Sequence, residues 1–253
     1  MSQVDNIVKF LFGFQSPEGR ALPEIPWDIF KVDKDRRDKR KWGGLCRGEA
    51  LAGLHPDPKI FVWNEIAHLD LYLGLSTGPA GFGYATALAT QGHGYNNLMA
   101  VANPNLAVNP SVAMVTKVGT PTLARANQMF GAAQSAIADA TIGALEHGFF
   151  PDEIVDDLVC VCGVFIHPYA GVKFENGKPV KDDDKQLVML GGEEAADSNH
   201  RIYCLNFVSM VAGLWMAVTG GRTPSELIAT RQAVPAGHIL RGFTPKTVPA
   251  QVV

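Results

Sequence analysis

The chain has 253 residues, 47% of them hydrophobic and 19% charged, with a formal net charge of −3. That is enough chain to bury the core of one large domain or two small ones, and the composition excludes a largely disordered protein. The near-neutral balance gives no global basic field to recruit nucleic acid, and four Cys in so long a chain do not make a disulfide scaffold.

Residues 1–41 read as an N-terminal arm. Pro23 and Pro26 interrupt it, apolar periods are few, and the run from Lys31 to Lys41 sets seven basic residues against Asp33, Asp35 and Asp38. Interleaved acids weaken the basic field, so that run reads as a solvated helix or linker. Met1 to Phe14 lacks the basic start, apolar run and small-residue cleavage site of a secretory signal. The most apolar stretch, Leu205 to Val218, is shorter than the ~20 residues of a membrane span. A cytoplasmic protein with no membrane partner is the expectation.

From Trp42 onward the pattern is dense. Arg47–Leu54 and Phe61–Leu75 predict strands; in the second, Ala67, Leu69, Leu71 and Leu73 alternate with His68, Asp70 and Tyr72, so one face is core and the other polar. Pro79–Thr90 predicts a modest helix weakened by Gly81 and Gly83. Asn97–Ala102 and Val112–Val118 predict short strands, separated by the turn-prone Asn103-Pro104-Asn105 and Asn109-Pro110. The stripe Leu123, Ala126, Phe130, Ala133, Ile137, Ala140, Ala144 predicts a helix from Thr122 to His147, ended by Gly148. Leu158–Ile166 is almost continuously apolar and predicts a central strand buried on both faces.

Residues 169–198 read as an insertion, with Asn176-Gly177 marking a tight hairpin and Lys181–Lys185 a solvated acidic tip. Ile202–Val218 has helical spacing and ends at Gly220-Gly221. Thr223-Pro224-Ser225-Glu226 carries the capping box of a further short helix, and residues 234–253 read as an extended tail. The fold class predicted is α+β, two layers with helices on one face of a sheet. The domain reading is an arm (1–41), one domain (42–233) holding the insertion, and a tail (234–253).

The chain has no glycine-rich phosphate loop, no serine nucleophile elbow and no His-Glu-x-x-His, and its seven His lack metal-ligand spacing. Cys160 and Cys162 share one face of a strand, do not form Cys-x-x-Cys, and read as buried structural thiols. The sharpest local constellation is Asn64-Glu65-Ile66-Ala67-His68-Leu69-Asp70. On a strand His68 and Asp70 project to the same side, roughly 6.5–7 Å apart along the chain. A carboxylate beside an imidazole favours the protonated, acid-donating ring, although the spacing alone favours a surface histidine beside a solvated aspartate. Lys117 is either an edge charge that discourages aggregation or a cation for an anionic or polar ligand. Gln134 is a surface residue of the long helix or one that reaches a ligand across a cleft. His167, after the buried strand, is placed either for chemistry or for capping a backbone carbonyl.

Taken together, several segments in register resemble the formaldehyde-activating enzyme family, which condenses formaldehyde with tetrahydromethanopterin. They are Gly48-Glu49-Ala50-Leu51, the Asn64–Asp70 run, Leu98-Met99-Ala100-Val101, Pro104-Asn105-Leu106 and Lys117-Val118. Gln128-Met129-Phe130-Gly131-Ala132-Ala133-Gln134, Asp156-Asp157-Leu158 and Val164-Phe165-Ile166-His167 complete the set. The resemblance implies a fold related to a ribosomal-protein domain with a left-handed βαβ crossover, and a homopentamer with the pterin between adjacent subunits. It implies His68 as proton donor, with Asp70, Met99, Lys117 and Gln134 as substrate contacts. The family's threonine contact two residues past the lysine falls on Gly119, with Thr120 next door, so one hydroxyl is missing; Met99 stands where the family has leucine.

The implied activity is that of a hydro-lyase making methylene-tetrahydromethanopterin, in one-carbon metabolism and formaldehyde detoxification. The pterin is a cosubstrate, and no tightly bound cofactor, metal, nucleic acid or membrane is implied. The alternative is a catalytically weak paralogue that binds pterin or formaldehyde as carrier, sensor or assembly subunit, a reading motivated by the arm, the insertion, the tail and Gly119.

Overall fold

Strands with a two-residue apolar period bury one face by pairing side by side and laying that face on a second layer. The computed structural model describes residues 2–33, 39–53, 64–92, 94–221 and 225. Its N-terminal half holds α1 (Gln3–Gly13), α2 (Lys39–Trp42), β1 (Cys46–Ala52), β2 (Ala67–Leu75), α3 (Pro79–Ala89), β3 (Leu98–Met99), β4 (Val101–Asn103), β5 (Leu106–Ala107) and β6 (Ser111–Thr116). There follow α4 (Leu123–Asn127), α5 (Gln134–Glu146), β7 (Leu158–Ile166), β8 (Phe174–Glu175), β9 (Lys178–Pro179) and α6 (Gly192–Thr219). Five strands form one sheet in the order β1-β2-β7-β6-β3. Neighbours are antiparallel except β6 and β7, which run parallel and are joined through α4 and α5. The α+β class read from the sequence is the class observed, but the helices lie on both faces of the sheet, α6 on one and α3 on the other, and not on one face as expected.

Period two decides what each face meets. Ala67, Leu69, Leu71 and Leu73 of β2 are fully buried, and the register sets Gly48, Leu71, Cys162 and Met114 in one row across four strands. Its Gly48 and Leu71 lie beneath α6. A Cβ on Gly48 would sit 1.9 Å from the carbonyl oxygen of Gly213, so strand and helix meet backbone to backbone. On the opposite face α3 covers one end, where Tyr84 Oη meets Ser111 Oγ at 2.6 Å and Gly83 faces Val161.

β7 is the middle strand of the sheet and is buried along most of its length, as its continuous apolar run predicts. The helix predicted from Thr122 to His147 is α4 and α5 joined by a wider π-helical segment, Gln128–Ala133, and Thr122 Oγ1 accepts the N-terminal cap bond from Arg125 N at 3.3 Å. β8 and β9 pair across Asn176-Gly177, as that dipeptide predicts.

Three elements differ from the sequence reading. β2 begins at Ala67, because Glu65 breaks the alternation: its buried carboxylate accepts from Ser198 Oγ at 2.6 Å and faces Arg201 Nε at 3.3 Å. Leu54 and residues 55–63, which include the start of the predicted second strand, lie outside the described residues. α6 begins at Gly192, well before Ile202, so the end of the stretch read as an insertion is already helix. It is long and apolar enough by composition to cross a membrane, yet most of that apolar window is buried within the protein, with Ile202, Val208, Leu214 and Trp215 in the core.

The N-terminal segment, finally, holds a helix that its sparse apolar pattern did not predict. Ser2 caps α1 in a capping box with Asp5, and Ile7, Leu11 and Phe30 are buried in the main core. Trp215 Nε1 donates to Lys31 O at 3.0 Å, tying this segment to α6. Residues 34–38 of the charged run, Thr223, Pro224 and Glu226 of the last predicted helix, and the tail lie outside the described residues.

Candidate active site

The face of β1 and β2 turned away from α6 carries charge. Glu49 pairs with Asp70 across the two strands and Leu51 pairs with His68, so Glu49, His68 and Asp70 project together, as alternation requires. His68 Nε2 lies 2.9 Å from Glu49 Oε1 and 3.5 Å from Asp70 Oδ1. That nitrogen is shielded from solvent and makes no aligned hydrogen bond among the described residues, while the His68 side chain as a whole is 37% exposed. The ring is therefore partly exposed, and its shielded nitrogen lies within ion-pair distance of both carboxylates.

Lys117 reaches the group from two strands away. Its backbone N donates to Val164 O at 2.9 Å just past the end of β6, and its side chain crosses β7 to form an ion pair with Asp70. Gly163, which pairs with both Asp70 and Val115, makes that crossing possible: a Cβ there would lie 2.7 Å from Lys117 Cε. Burial pulls the Lys117 ammonium below its ordinary pKa, an effect opposed by the Glu49 carboxylate. Glu49, Asp70 and Lys117 line a cleft of about 890 Å³, together with Val115, Val161, Val4 and Met216.

Of the residues singled out from the sequence, His68, Asp70 and Lys117 come together here, and Met99 and Gln134 stand elsewhere in the protomer. Met99 lies on β3, at the sheet edge opposite β1 and three strand spacings, roughly 14 Å, from β2. Gln134 is buried on α5 and donates through Nε2 to Val101 O at 2.9 Å. Gly119 faces the phenol of Tyr95, whose Oη would be 3.6 Å from a Cβ at that position. Thr120 Oγ1 donates to Gly94 O at 3.2 Å, so the neighbouring hydroxyl is used locally.

His167 Nδ1 accepts from the backbone N of Tyr169 at 3.1 Å, so the ring holds an N–H and not the carbonyl expected of a capping histidine, and burial pushes its pKa down. Cys160 and Cys162 are fully buried; burial pushes the Cys160 thiol to about 12 and the Cys162 thiol well above its ordinary value, so both stay protonated. Among the described residues no three of His, Cys, Asp and Glu are grouped to hold a metal ion.

Two residues of the site escaped the reading of the sequence. Glu49 sits at an outward position of β1, but only the register of β1 on β2 brings it to His68. Gly163 did carry a signal, since a lone glycine inside an apolar strand marks a close approach by another group.

Comparison with known proteins places these features in context. A family model described as formaldehyde-activating enzyme matches residues 47–236. The bifunctional enzyme Fae/Hps of Methanocella arvoryzae is 39% identical over 123 residues, which is 49% of this chain and 29% of that protein. The bifunctional enzyme Fae/Hps of Archaeoglobus fulgidus is 43% identical over 106 residues, 42% of this chain and 27% of that protein. The chain thus spans less than a third of the length of these curated relatives.

Proposed function

The chain belongs to the formaldehyde-activating enzyme family, and from that premise we propose that it condenses formaldehyde with tetrahydromethanopterin, releasing water to give methylene-tetrahydromethanopterin. The observation that carries this reading is His68, set within ion-pair distance of both Glu49 and Asp70 beside a cleft of ligand size.

Amines attack formaldehyde without help and give a carbinolamine. Closing the methylene bridge then requires the C–O bond to break, and hydroxide is a poor leaving group until it is protonated. His68 delivers that proton, an effect worth about 10²–10⁴-fold. Asp70 and Lys117, paired with each other, present an acceptor and a cation to the polar edge of the pterin and hold its nitrogens against the aldehyde carbon. The carbon changes no oxidation state, so the pterin enters as cosubstrate and the reading calls on no redox cofactor. The distance of Met99 from the cluster, and the engagement of Gln134 with Val101, support a site completed by an adjacent subunit of a homopentamer.

A second reading, a catalytically weak binder of pterin or formaldehyde, draws on Gly119, which brings no hydroxyl to the Tyr95 ring it faces. One assay separates the two. The full chain, mixed with formaldehyde and tetrahydromethanopterin, is expected to speed the loss of free formaldehyde above the uncatalysed rate. Equal rates with and without protein overturn the enzyme reading, and equal rates accompanied by saturable pterin binding establish the binder.

A further inference from the structure

We propose that Lys117 is a covalent relay for the one-carbon unit, its Nζ taking formaldehyde as an iminium before the acceptor amine receives it. The inference deepens the reading of the site as formaldehyde-condensing and rests on it. A lysine at a strand end that served only as an edge charge would point to solvent. Lys117 instead turns inward across β7, through the gap that Gly163 leaves, and its side chain is 31% exposed. Among the described residues that line the cleft, it carries the one primary amine, and formaldehyde combines with any unprotonated amine it meets.

The surroundings of that amine suit the chemistry. Val115 and Val161 give apolar walls, and burial lowers the pKa of Lys117, which raises its share of free amine over that of a solvated lysine. Asp70 touches Nζ on one side and lies 3.5 Å from His68 Nε2 on the other. A base and an acid are therefore connected to the nucleophile through a single carboxylate.

The step balances within the site. The Lys117 ammonium passes a proton by way of Asp70 to His68. The Nζ lone pair then attacks the carbonyl carbon; a C–N bond forms, the π pair moves to oxygen, and a proton moves from nitrogen to that oxygen to give a carbinolamine. His68 returns its proton to the hydroxyl, the C–O bond breaks, water leaves, and the nitrogen lone pair closes the iminium. An amine nitrogen of the acceptor attacks the iminium carbon and passes its proton to Nζ. The lone pair of that acceptor nitrogen then expels Lys117 as the C–N bond to Nζ breaks, leaving an iminium on the acceptor. The second amine nitrogen of the acceptor adds to the carbon to close the methylene bridge and gives its proton to the free Lys117 amine. Nothing is oxidised or reduced.

Reductive trapping tests this directly. The full-length protein is treated with ¹³C-formaldehyde and cyanoborohydride, without pterin, and labelled methyl groups are mapped by peptide mass spectrometry. Lys117 is expected to label about tenfold faster than the exposed Lys178, and H68Q to erase that excess. K117R keeps the cation and is expected to lose pterin-dependent turnover. Labelling of Lys117 no faster than Lys178, or wild-type turnover by K117R, overturns the relay. The two readings fail separately: rapid turnover without selective trapping removes the relay alone, whereas selective trapping without pterin-dependent turnover keeps the adduct and removes the condensation.

Discussion

One residue step separates two regimes in β1. Gly48 faces α6 and has no room for a methyl group; Glu49, next in the chain, faces the cleft and lies 2.9 Å from His68. The same division runs through β2 between Leu69 or Leu71 and His68 or Asp70, and through β7 between Cys162 and Gly163. On the helix-covered face the constraint is volume, because α6 approaches to backbone contact. On the open face the constraint is charge and reach, because Lys117 must cross a strand to meet Asp70. Neighbouring residues in one strand therefore answer to different physics, and the consequences of changing them should separate.

The largest expected effect is on the covered face. Gly48→Val forces β1 and α6 apart and should cost about 3 kcal/mol or more of folding stability, read from urea unfolding. On the open face Gly163→Ala should instead act on the reaction. Its Cβ displaces Lys117 from Asp70, with an expected loss of up to ~10²-fold in pterin-dependent turnover and a stability change of about 1 kcal/mol. Glu49→Gln removes one of the two carboxylates at His68 and should lower turnover about tenfold, leaving urea stability within ~1 kcal/mol of wild type. A stability loss for Glu49→Gln as large as that of Gly48→Val would dissolve the distinction between the faces.

The smallest effect concerns the core thiols. All four Cys are free and buried, and burial raises Cys160 to about 12, so at pH 8 its thiol is protonated and unreactive. Iodoacetamide at pH 8 should label none of them in the folded chain and all of them in denaturant; rapid labelling of the native protein would show that the covered face opens.

How far the sequence revealed this molecule follows from how local each signal is. β7 announced itself through nine residues with one character, and the β8–β9 turn through a dipeptide. His68 and Asp70 were legible as a pair because two residues on a strand share a face whatever the sheet does. The contacts of Glu49 with His68 and of Lys117 with Asp70 are products of register between strands distant in sequence, which no local pattern encodes. α1 was obscured because its buried stripe of Val4, Ile7 and Leu11 is brief and precedes a proline-broken stretch; contact with α6 and the core stabilises it. The first turns of α6 carry Glu193, Glu194 and Asp197 and read as the end of an insertion, and they become helix as the lead-in to a buried segment.

The account stands on His68 as the group that protonates the departing oxygen. The direct measurement is the initial rate of methylene-tetrahydromethanopterin formation by H68Q at saturating pterin, beside wild type and with urea stability checked in parallel. The account predicts a loss of about 10²–10⁴-fold with the fold intact; a folded H68Q protein that turns over at the wild-type rate would contradict it.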